Sequence, residues 1–271
     1  MDENRLMTLA EIHEAELRLL SVFHDFCQEH GLRYSLQAGT LIGAVRHRGF
    51  IPWDDDIDVS MPRPDVERLL ELVGELPQGF SIQGPENSAF VCSFYKFVDL
   101  SIIAQEPAYE GLYEEHLWLD IFPMDGAPLR PEEAKKAQNA MSDAIRWSAW
   151  VDTNHSSDPL WKRAIKAAVV PVLRLTNPRR RMIKLANRIA SNPGYDNAVR
   201  VSSFMGGSRS GWSLSRAEYE DMVDMEFEGH MFRVMGCWDE YLRTCYGDYM
   251  TLPPESQRAT HHLKAWRVSG A

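Results

Sequence analysis

The stretch that decides the fold runs from residue 38 to residue 58 and reads AGTLIGAVRHRGFIPWDDDID. Its first half predicts a short helix from Thr40 to Arg48, because apolar residues cluster on one face and a glycine follows. Its second half predicts a strand from Ile57 to Met61, in which successive side chains alternate between the two faces. Asp56 and Asp58 then lie on the same, polar face of that strand.

Two carboxylates that share a face can bind one hard cation, and Mg²⁺ is commonly held by one or two carboxylates together with substrate phosphates. Gly39 and Thr40 stand at the mouth of the predicted helix, where backbone N–H groups and a hydroxyl can receive a phosphate. Phosphoryl transfer needs these two kinds of group together. The sequence therefore indicates that Asp56 and Asp58 hold a divalent cation on the diphosphate of an activated donor.

Two plainer interpretations of the acidic run compete with this one. A D-x-D pair alone is common in solvated turns. The spacing of Asp54, Asp56 and Asp58 also matches the start of a calcium-binding loop. That match fails because Val59 replaces the required glycine and Asp65 replaces the glutamate at the twelfth position. Four acids in five positions directly before an apolar strand favour a bound cation.

The composition of the 271-residue chain is that of an ordinary globular protein, with 44% hydrophobic and 25% charged residues. The net charge of −10 argues against a general nucleic-acid-binding protein. Four cysteines without a C-x-x-C pair argue against a zinc site or a disulfide framework. The first residues are acidic and no apolar leader or membrane-length apolar run is present, so the cytoplasm is the expected location.

Further elements are predicted on both sides of the central stretch. Thr8 and Glu11 form a capping box that begins a helix, and Gly31 suits its end. The other predictions, in chain order, are a strand at Arg33–Ala38, a helix from Pro64 to about Leu76, strands at Phe80–Gln83, Val91–Val98 and Leu117–Phe122, helices at Pro131–Trp150, Leu160–Leu175 and Arg179–Ala190, a strand at Glu226–Val234 and a helix at Trp238–Cys245.

The order of these elements predicts three segments: a core over residues 1–128, a basic helical segment over 129–200 and a C-terminal segment over 201–271 that completes the site. The interval from Pro159 to Tyr195 contains nine basic residues and no acidic one, whereas the chain has 29 basic and 39 acidic residues in all. The predicted helix within it joins apolar and basic side chains. Such a segment suits either packing against the core or contact of residues 160–190 with an anionic membrane surface.

The stretch at 38–58 resembles the signature of the LicD family, which comprises bacterial phosphorylcholine transferases related to fukutin and the fukutin-related protein. Further pieces of the chain resemble that family at Phe94–Lys96, Leu119–Pro123, Tyr246–Met250 and Pro253-Pro254. The resemblance covers nearly the whole chain and is weakest in the basic helical segment. It implies an α/β (α+β) fold that has a nucleotidyltransferase-like core, a mixed sheet and a helical extension.

The resemblance also implies a site for Mg²⁺ or Mn²⁺ formed by Asp56, Asp58 and Asp120. Asp120 is either a ligand or the general base for an acceptor hydroxyl, and an ordinary strand-end acid is the alternative. Asp54 is expected in the outer sphere of the metal.

The candidates for binding the nucleotide and its phosphates share polar or cationic groups; they are Gly39, Thr40, Arg46, His47, Lys96 and His261. Lys96 lies in an otherwise aromatic strand, which suits either the donor diphosphate or a lysine that extends its head to solvent. His261 is a candidate for closing over the site. Its neighbour His262 leaves that assignment open, and an ordinary pair of histidines in the tail is an equal alternative.

The implied reaction moves phosphorylcholine from CDP-choline to a hydroxyl of a cell-surface glycan or glycolipid precursor, as in lipopolysaccharide or teichoic acid modification, and releases CMP. A quaternary ammonium suits an aromatic cage. The candidates for that cage, each of which also suits ordinary packing, are Tyr109, Tyr113, Trp118, Trp212 and Tyr246.

Three other functions remain open from the sequence. Another phosphoalcohol such as ribitol phosphate would keep the signature and change only the pocket. A small-molecule nucleotidyltransferase would use the same acids and release pyrophosphate from a nucleoside triphosphate. A non-catalytic polysaccharide-binding protein would tolerate loss of the acids, which are intact here.

Overall fold

The structure is a computed structural model that describes residues 5–85, 92–107, 109–110, 115–152, 159–258 and 263–268. The α-helices in these ranges are α1 (Leu9–His30), α2 (Ala38–His47), α3 (Arg63–Glu71), α4 (Pro131–Asp152), α5 (Leu160–Leu175), α6 (Pro178–Ala190), α7 (Arg216–Glu220) and α8 (Trp238–Tyr246). The strands are β1 (Ser35–Leu36), β2 (Asp58–Pro62), β3 (Phe80–Gln83), β4 (Tyr95–Gln105), β5 (Glu115–Ala127), β6 (Arg200–Ser203), β7 (Leu214–Ser215), β8 (Val223–Phe227), β9 (His230–Val234) and β10 (Lys264–Arg267).

The main sheet is mixed and is centred on the long strand β5. Its principal path is β1-β2-β5-β4-β10; β3 also pairs with β4, and β6 joins β5 to β7. β2 and β5 run parallel, whereas the other pairs in this sheet are antiparallel. β8 and β9 form a separate hairpin. The predicted α/β (α+β) fold with a mixed sheet is confirmed.

Strand β2 is buried along its whole length, including the face that carries Asp58 and Ser60. Parallel strands at the centre of a sheet are covered on both faces, and their polar side chains must then find internal partners. Ser60 shows this, because it accepts a hydrogen bond from the buried Tyr219 hydroxyl at 3.1 Å. The strand also begins at Asp58, so Asp56 lies in the loop before it.

Helix α1 covers one face of the sheet and anchors the largest core. Its capping box at Thr8 and Glu11 and its left-handed C-cap at Gly31 (φ 65°) are both present. Leu19 and Phe23 are fully buried in the same core as α2, β2 and the β8–β9 hairpin. Packing of this one helix therefore holds together the elements that surround the acidic run.

Helices α4 and α6 pack on each other over a separate, smaller core that includes Met141, Met182 and Phe204. Helix α5 packs against α4 and has the bounds that the sequence predicts. None of the helices in the described ranges combines the length and the apolar character that crossing a bilayer requires.

Two predicted strands differ in the structure. The strand expected at Val91–Val98 is β4 at Tyr95–Gln105, which continues past an irregularity after Asp99 to pair with β10. The strand expected at Glu226–Val234 is instead part of a hairpin that turns at Glu228 and Gly229, both with positive φ.

Candidate active site

Three carboxylates converge where β2 and β5 lie side by side. Asp58 and Asp120 are direct partners in the parallel register of these strands. One oxygen from each of Asp56, Asp58 and Asp120 lies within 4.8 Å of the other two. The parallel pairing of β2 with β5 therefore brings together acids that are more than 60 residues apart in the chain.

Thr40 fixes the position of Asp58. The Asp58 N–H donates a hydrogen bond to Oγ1 of Thr40 at 2.8 Å, and the backbone N–H of Gln37 donates to the Asp58 carbonyl at 3.0 Å. Thr40 is itself buried, so its hydroxyl supports one of the three converging carboxylates from inside the protein. Its predicted role at a phosphate remains a prediction.

Gly39 lies in the first turn of α2, and not in a turn before the helix as the sequence reading assumed. A Cβ at this position would lie 2.5 Å from Oδ2 of Asp54. The Asp54 carboxylate thus occupies the helix N-terminus, where a negative charge interacts favourably with the backbone N–H groups. The glycine is required for this close approach.

A further carboxyl group, which the sequence reading missed, lies beside the three acids. Glu16 is 1% exposed, and burial followed by the charges of Asp56, Asp55 and Asp54 raises its pKa well above the ordinary value. The signal in the sequence is that Glu16 occupies a position on the apolar face of α1, four residues after Ile12 and three before Leu19.

The acids repel one another strongly. Burial, and then the charges of Asp56, Asp120 and Asp54, raise the pKa of Asp58 well above its ordinary value. Only oxygen ligands are present in the triad of Asp56, Asp58 and Asp120, and hard divalent cations prefer such ligands. The arrangement therefore fits a divalent cation chemically.

Lys96 faces the acids from the neighbouring strand. It pairs with Asp120 in the antiparallel register of β4 and β5, and its Nζ lies 3.9 Å from Asp120 Oδ1 and 3.7 Å from Glu106 Oε1. Burial acts to lower its pKa, but Asp120 and the other nearby acids outweigh this and raise it. Lys96 is thus a buried cation that balances part of the acidic charge; its predicted contact with a diphosphate stays a prediction.

A basic group, which we define as Arg46, His47 and Arg258, lies next to the acidic run. Arg46 donates from Nε to Nε2 of His47 at 2.9 Å and from Nη1 to the carbonyl of Tyr249 at 2.9 Å. The guanidinium of Arg258 lies 4.7 Å from the ring centroid of Trp53, which immediately precedes the acids. The sequence reading placed Arg46 and His47 near the phosphates but missed Arg258, which no nearby motif marks.

Within this basic group, repulsion between the cations adds to the effect of burial. Burial and then the charge of Arg258 lower the pKa of Arg46, and burial and then the charge of Arg46 lower the pKa of His47. An anion bound between them would relieve that repulsion.

The candidate cage residues differ in their exposure and in their contacts. Trp118 is 4% exposed and one face of its ring is covered by Nζ of Lys96, 3.4 Å from the ring centroid. Trp212 is buried in the main core and packs on Tyr241 at 5.4 Å. Tyr246 is 45% exposed, and its pKa is raised by burial and then by the charge of Asp58. Tyr246 is therefore the cage candidate that combines exposure with closeness to the acids.

Four further candidates remain. Tyr109 lies beside Cys92 and Glu106. Tyr113, His261 and His262 lie outside the described residues.

The chain after the basic group returns to the acids. The backbone N–H of Leu263 donates a hydrogen bond to Oδ2 of the buried Asp55 at 3.0 Å. Directly afterwards, β10 pairs with β4. The middle carboxylate of the run Asp54-Asp55-Asp56 thus has a structural partner, whereas Asp56 belongs to the triad.

Comparison with known proteins agrees with this geometry. Residues 31–158 match the family described as LicD/FKTN/FKRP, nucleotidyltransferase domain. The chain is 30% identical over 270 residues to the lipopolysaccharide cholinephosphotransferase LicD of Haemophilus influenzae, which covers 95% of this chain and 97% of that protein. It is also 46% identical over 44 residues to the ribitol 5-phosphate transferase FKRP of Homo sapiens, which covers 16% of this chain and 9% of that protein. The chain therefore belongs to the LicD family and is a phosphotransferase.

Proposed function

We propose that this protein transfers phosphorylcholine from CDP-choline to a hydroxyl of a cell-surface glycan or glycolipid precursor and releases CMP. The observation that carries the proposal is the convergence of Asp56, Asp58 and Asp120, whose oxygens lie within 4.8 Å of one another. Choline is preferred as the alcohol because the relative that aligns with 95% of this chain is named a cholinephosphotransferase.

The three carboxylates would hold Mg²⁺ or Mn²⁺. Their oxygen donors suit a hard cation, and a cation would offset the repulsion that raises the pKa of Asp58. When bound, such a cation neutralises charge on the diphosphate oxygens of the donor. The supporting contacts come from the protein, since Thr40 and Gln37 hold the backbone of Asp58 on both sides.

In the proposed reaction the acceptor oxygen forms a bond to the choline-bearing phosphorus. The bond between that phosphorus and the bridging oxygen of the diphosphate breaks, and CMP leaves with the electron pair. The hydroxyl proton passes to a carboxylate, for which Asp120 is the candidate. Arg46 and Arg258 would bind the phosphates and stabilise the charge that develops on CMP.

Tyr246 would contribute to recognition of the alcohol. Its exposed aromatic ring lies 6.4 Å from the ring of Tyr241, and the hydroxyls of both tyrosines lie within the electrostatic influence of Asp58. Aromatic faces attract quaternary ammonium groups, and a nearby carboxylate adds to that attraction.

Transfer of ribitol phosphate from a CDP donor is the second candidate. The 44-residue match to FKRP, at 46% identity, favours it. The triad and the basic group would serve both reactions, because they contact the phosphates that the two donors share.

The test is release of CMP in the presence of Mg²⁺ from CDP-choline, CDP-ribitol and CDP-glycerol, with and without a glycan acceptor. We expect CDP-choline to be the preferred donor. Asp56→Ala should lower the rate on the order of 1,000-fold, since a metal ion contributes several kcal/mol to catalysis. The matched control is Asp224→Ala, which removes an exposed carboxylate from the β8–β9 hairpin.

Other outcomes would change the proposal. A preference for CDP-ribitol would support the second candidate, and pyrophosphate release from a nucleoside triphosphate would indicate a nucleotidyltransferase. If no CDP-alcohol yields CMP and Asp56→Ala behaves as the wild type does, both transfer reactions are excluded.

A further inference from the structure

We infer that helices α5 and α6 form a docking surface for an anionic lipid bilayer. The surface, which we call the α5–α6 surface, consists of an exposed apolar stripe on α5 and an exposed basic face on α6. The two helices are consecutive and are joined by Thr176 and Asn177 alone. This inference concerns where the protein works, and it does not depend on which alcohol the donor carries.

The apolar stripe is formed by Trp161, Ile165, Val172 and Leu175. These side chains are 63%, 48%, 61% and 86% exposed. Their spacing of four, seven and three residues places them within an arc of roughly 80° on a helix that turns about 100° per residue. Apolar side chains aligned in this way on a soluble protein mark an interaction surface, whereas scattered ones need no explanation.

The groove beside this stripe is lined by side chains that suit a lipid headgroup. It has a volume of about 260 Å³ and is lined by Trp150, Trp161, Lys162, Ile165 and Lys166. The ammonium groups of Lys162 and Lys166 lie 5.5 Å from the ring centroids of Trp161 and Trp150, respectively. Tryptophan and lysine together at an exposed surface are typical of helices that lie in a membrane interface.

The basic face of α6 adds positive charge to the α5–α6 surface. Arg180, Arg181, Lys184 and Arg188 are exposed and recur at helical spacing, and none of them forms an ion pair with any other residue that the structure describes. The opposite face is buried through Met182 and Ala186, which pack towards α4. The helix therefore presents one packed face to the protein and one cationic face outwards.

Charge complementarity identifies the partner as an anionic surface. The interval from Pro159 to Tyr195 carries nine basic and no acidic residues, although the chain has a net charge of −10. A second copy placed α5 to α5 would bring like charges together. A nucleic acid would match the charge but not the apolar stripe. An anionic bilayer matches both, because it accepts apolar side chains and attracts cations.

The test is flotation of the full chain with large unilamellar vesicles. Two compositions are compared, pure phosphatidylcholine and phosphatidylcholine with about 30 mol% phosphatidylglycerol. We expect the protein to float with the anionic vesicles only, and raising the salt from about 50 mM to about 500 mM should release it because screening shortens the electrostatic range.

Two double variants test the two halves of the surface. Trp161→Ser with Leu175→Ser removes the ends of the stripe, and Arg180→Glu with Lys184→Glu reverses two charges on α6. Each should weaken binding to anionic vesicles about 10-fold or more. Circular dichroism and thermal unfolding show whether the variants are folded.

Matched controls change equally exposed side chains elsewhere. Leu129→Ser with Met231→Ser removes apolar groups that are 68% and 55% exposed. Arg68→Glu with Arg267→Glu reverses two exposed charges on α3 and β10. Both controls should float as the wild type does.

The inference is overturned if the wild type stays in the aqueous fraction with anionic vesicles at low salt. It is also overturned if the stripe and charge variants bind like the controls, or if the variants instead abolish a dimer that the wild type forms without vesicles. Failure of the proposed function is a separate result, because CMP release in solution with a soluble acceptor should be equal in wild type and α5–α6 variants.

Discussion

The individual residues of the site are held mainly by contacts to the backbone. Asp58 is fixed through its own N–H by Thr40, and Asp54 lies against Gly39. Both contacts come from the first turn of α2, so this one turn helps to hold two of the carboxylates in position despite their repulsion. Stability that is lost at such a site must be supplied by the rest of the fold.

Asp58→Asn should stabilise the metal-free protein while it abolishes activity. The substitution removes a buried charge that its neighbours repel, and changes of this kind commonly add about 0.5–2 kcal/mol to the free energy of unfolding. Urea unfolding measures it. Added Mg²⁺ should raise the unfolding midpoint of the wild type but not of Asp58→Asn, since only the former retains the ligand. Equal midpoint shifts in both proteins would contradict a role for Asp58 in metal binding.

Arg258→Ala should weaken binding of the donor. Loss of a hydrogen bond to a charged group costs about 1.5–3 kcal/mol, so KM for the CDP donor should rise roughly 10- to 100-fold. The control is Arg243→Ala, which removes an exposed arginine on α8 that pairs with Asp239 at 2.8 Å. Steady-state kinetics of CMP release distinguishes them, and equal KM values would remove Arg258 from the donor site.

At the scale of elements, α2 connects the acids to the basic group. Asp54 lies at its N-terminus, and Arg46 and His47 lie in its last turn. Gly43 allows the helix to lie against the chain that follows it, because a Cβ there would overlap the carbonyl oxygen of Gly49. A shift of this one helix would therefore move both charged groups of the site.

Gly43→Ala should destabilise the protein by about 1–3 kcal/mol, the usual cost of forcing a methyl group into a packed region. The control is Gly74→Ala, because a Cβ at Gly74 meets no atom within 4 Å and its φ is not positive. Its effect should lie within about 0.5 kcal/mol of zero, or slightly on the stabilising side. Thermal unfolding compares the two, and equal destabilisation would mean that α2 does not depend on this contact.

Elements that depend on neighbouring residues could be predicted from the sequence, whereas elements that depend on contacts between distant residues could not. The capping box at Thr8 and Glu11 and the bounds of α5 depend on neighbouring residues, and the sequence predicted both. The hairpin turn was not predicted, because Glu228 adopts a positive φ (49°) that a glutamate does not indicate. A tertiary contact holds Glu228 in this conformation, since its backbone N–H donates a hydrogen bond to the Arg48 carbonyl at 2.8 Å. β10 was not predicted, because a strand of four residues is too short to show a clear alternation of polar and apolar side chains.

The residues of the site also divide into those marked by a local motif and those that are not. The contiguous run from Gly39 to Asp58 predicted Asp56 and Asp58 as metal ligands, and the family resemblance added Asp120 to that prediction. Glu16 and Arg258 reach the site through tertiary packing alone, from α1 and from the segment before β10. Arg258 has no local signature, and the only local mark of Glu16 is its position on the apolar face of α1.

At the scale of the whole molecule, the charge is divided between an acidic body and the basic α5–α6 surface. The acidic remainder of the chain carries Asp56, Asp58 and Asp120, and the basic surface carries none of the candidate site residues. If the acceptor is lipid-linked, which rests on the proposed function, docking through this surface would confine enzyme and acceptor to the same plane and raise their encounter rate.

The C-terminal segment also contributes to the structure of the whole molecule. A chain that ends after Arg258 would lose β10 and the bond from Leu263 to Asp55. We expect lower thermal stability and at least a 10-fold lower rate of CMP release, because Asp55 would become a buried carboxylate without that donor. Asp55→Ala in the full chain separates the two causes: it removes the bond and keeps β10. Full activity of the shortened chain would show that the segment is dispensable.

The bond between Leu263 and Asp55 also has a consequence for the order of events in folding. It joins two positions that are 208 residues apart in the chain. Contacts between such distant residues form late, because the entropy of closing a long loop opposes them. We therefore expect the acidic run to reach its final arrangement only after β10 has paired with β4.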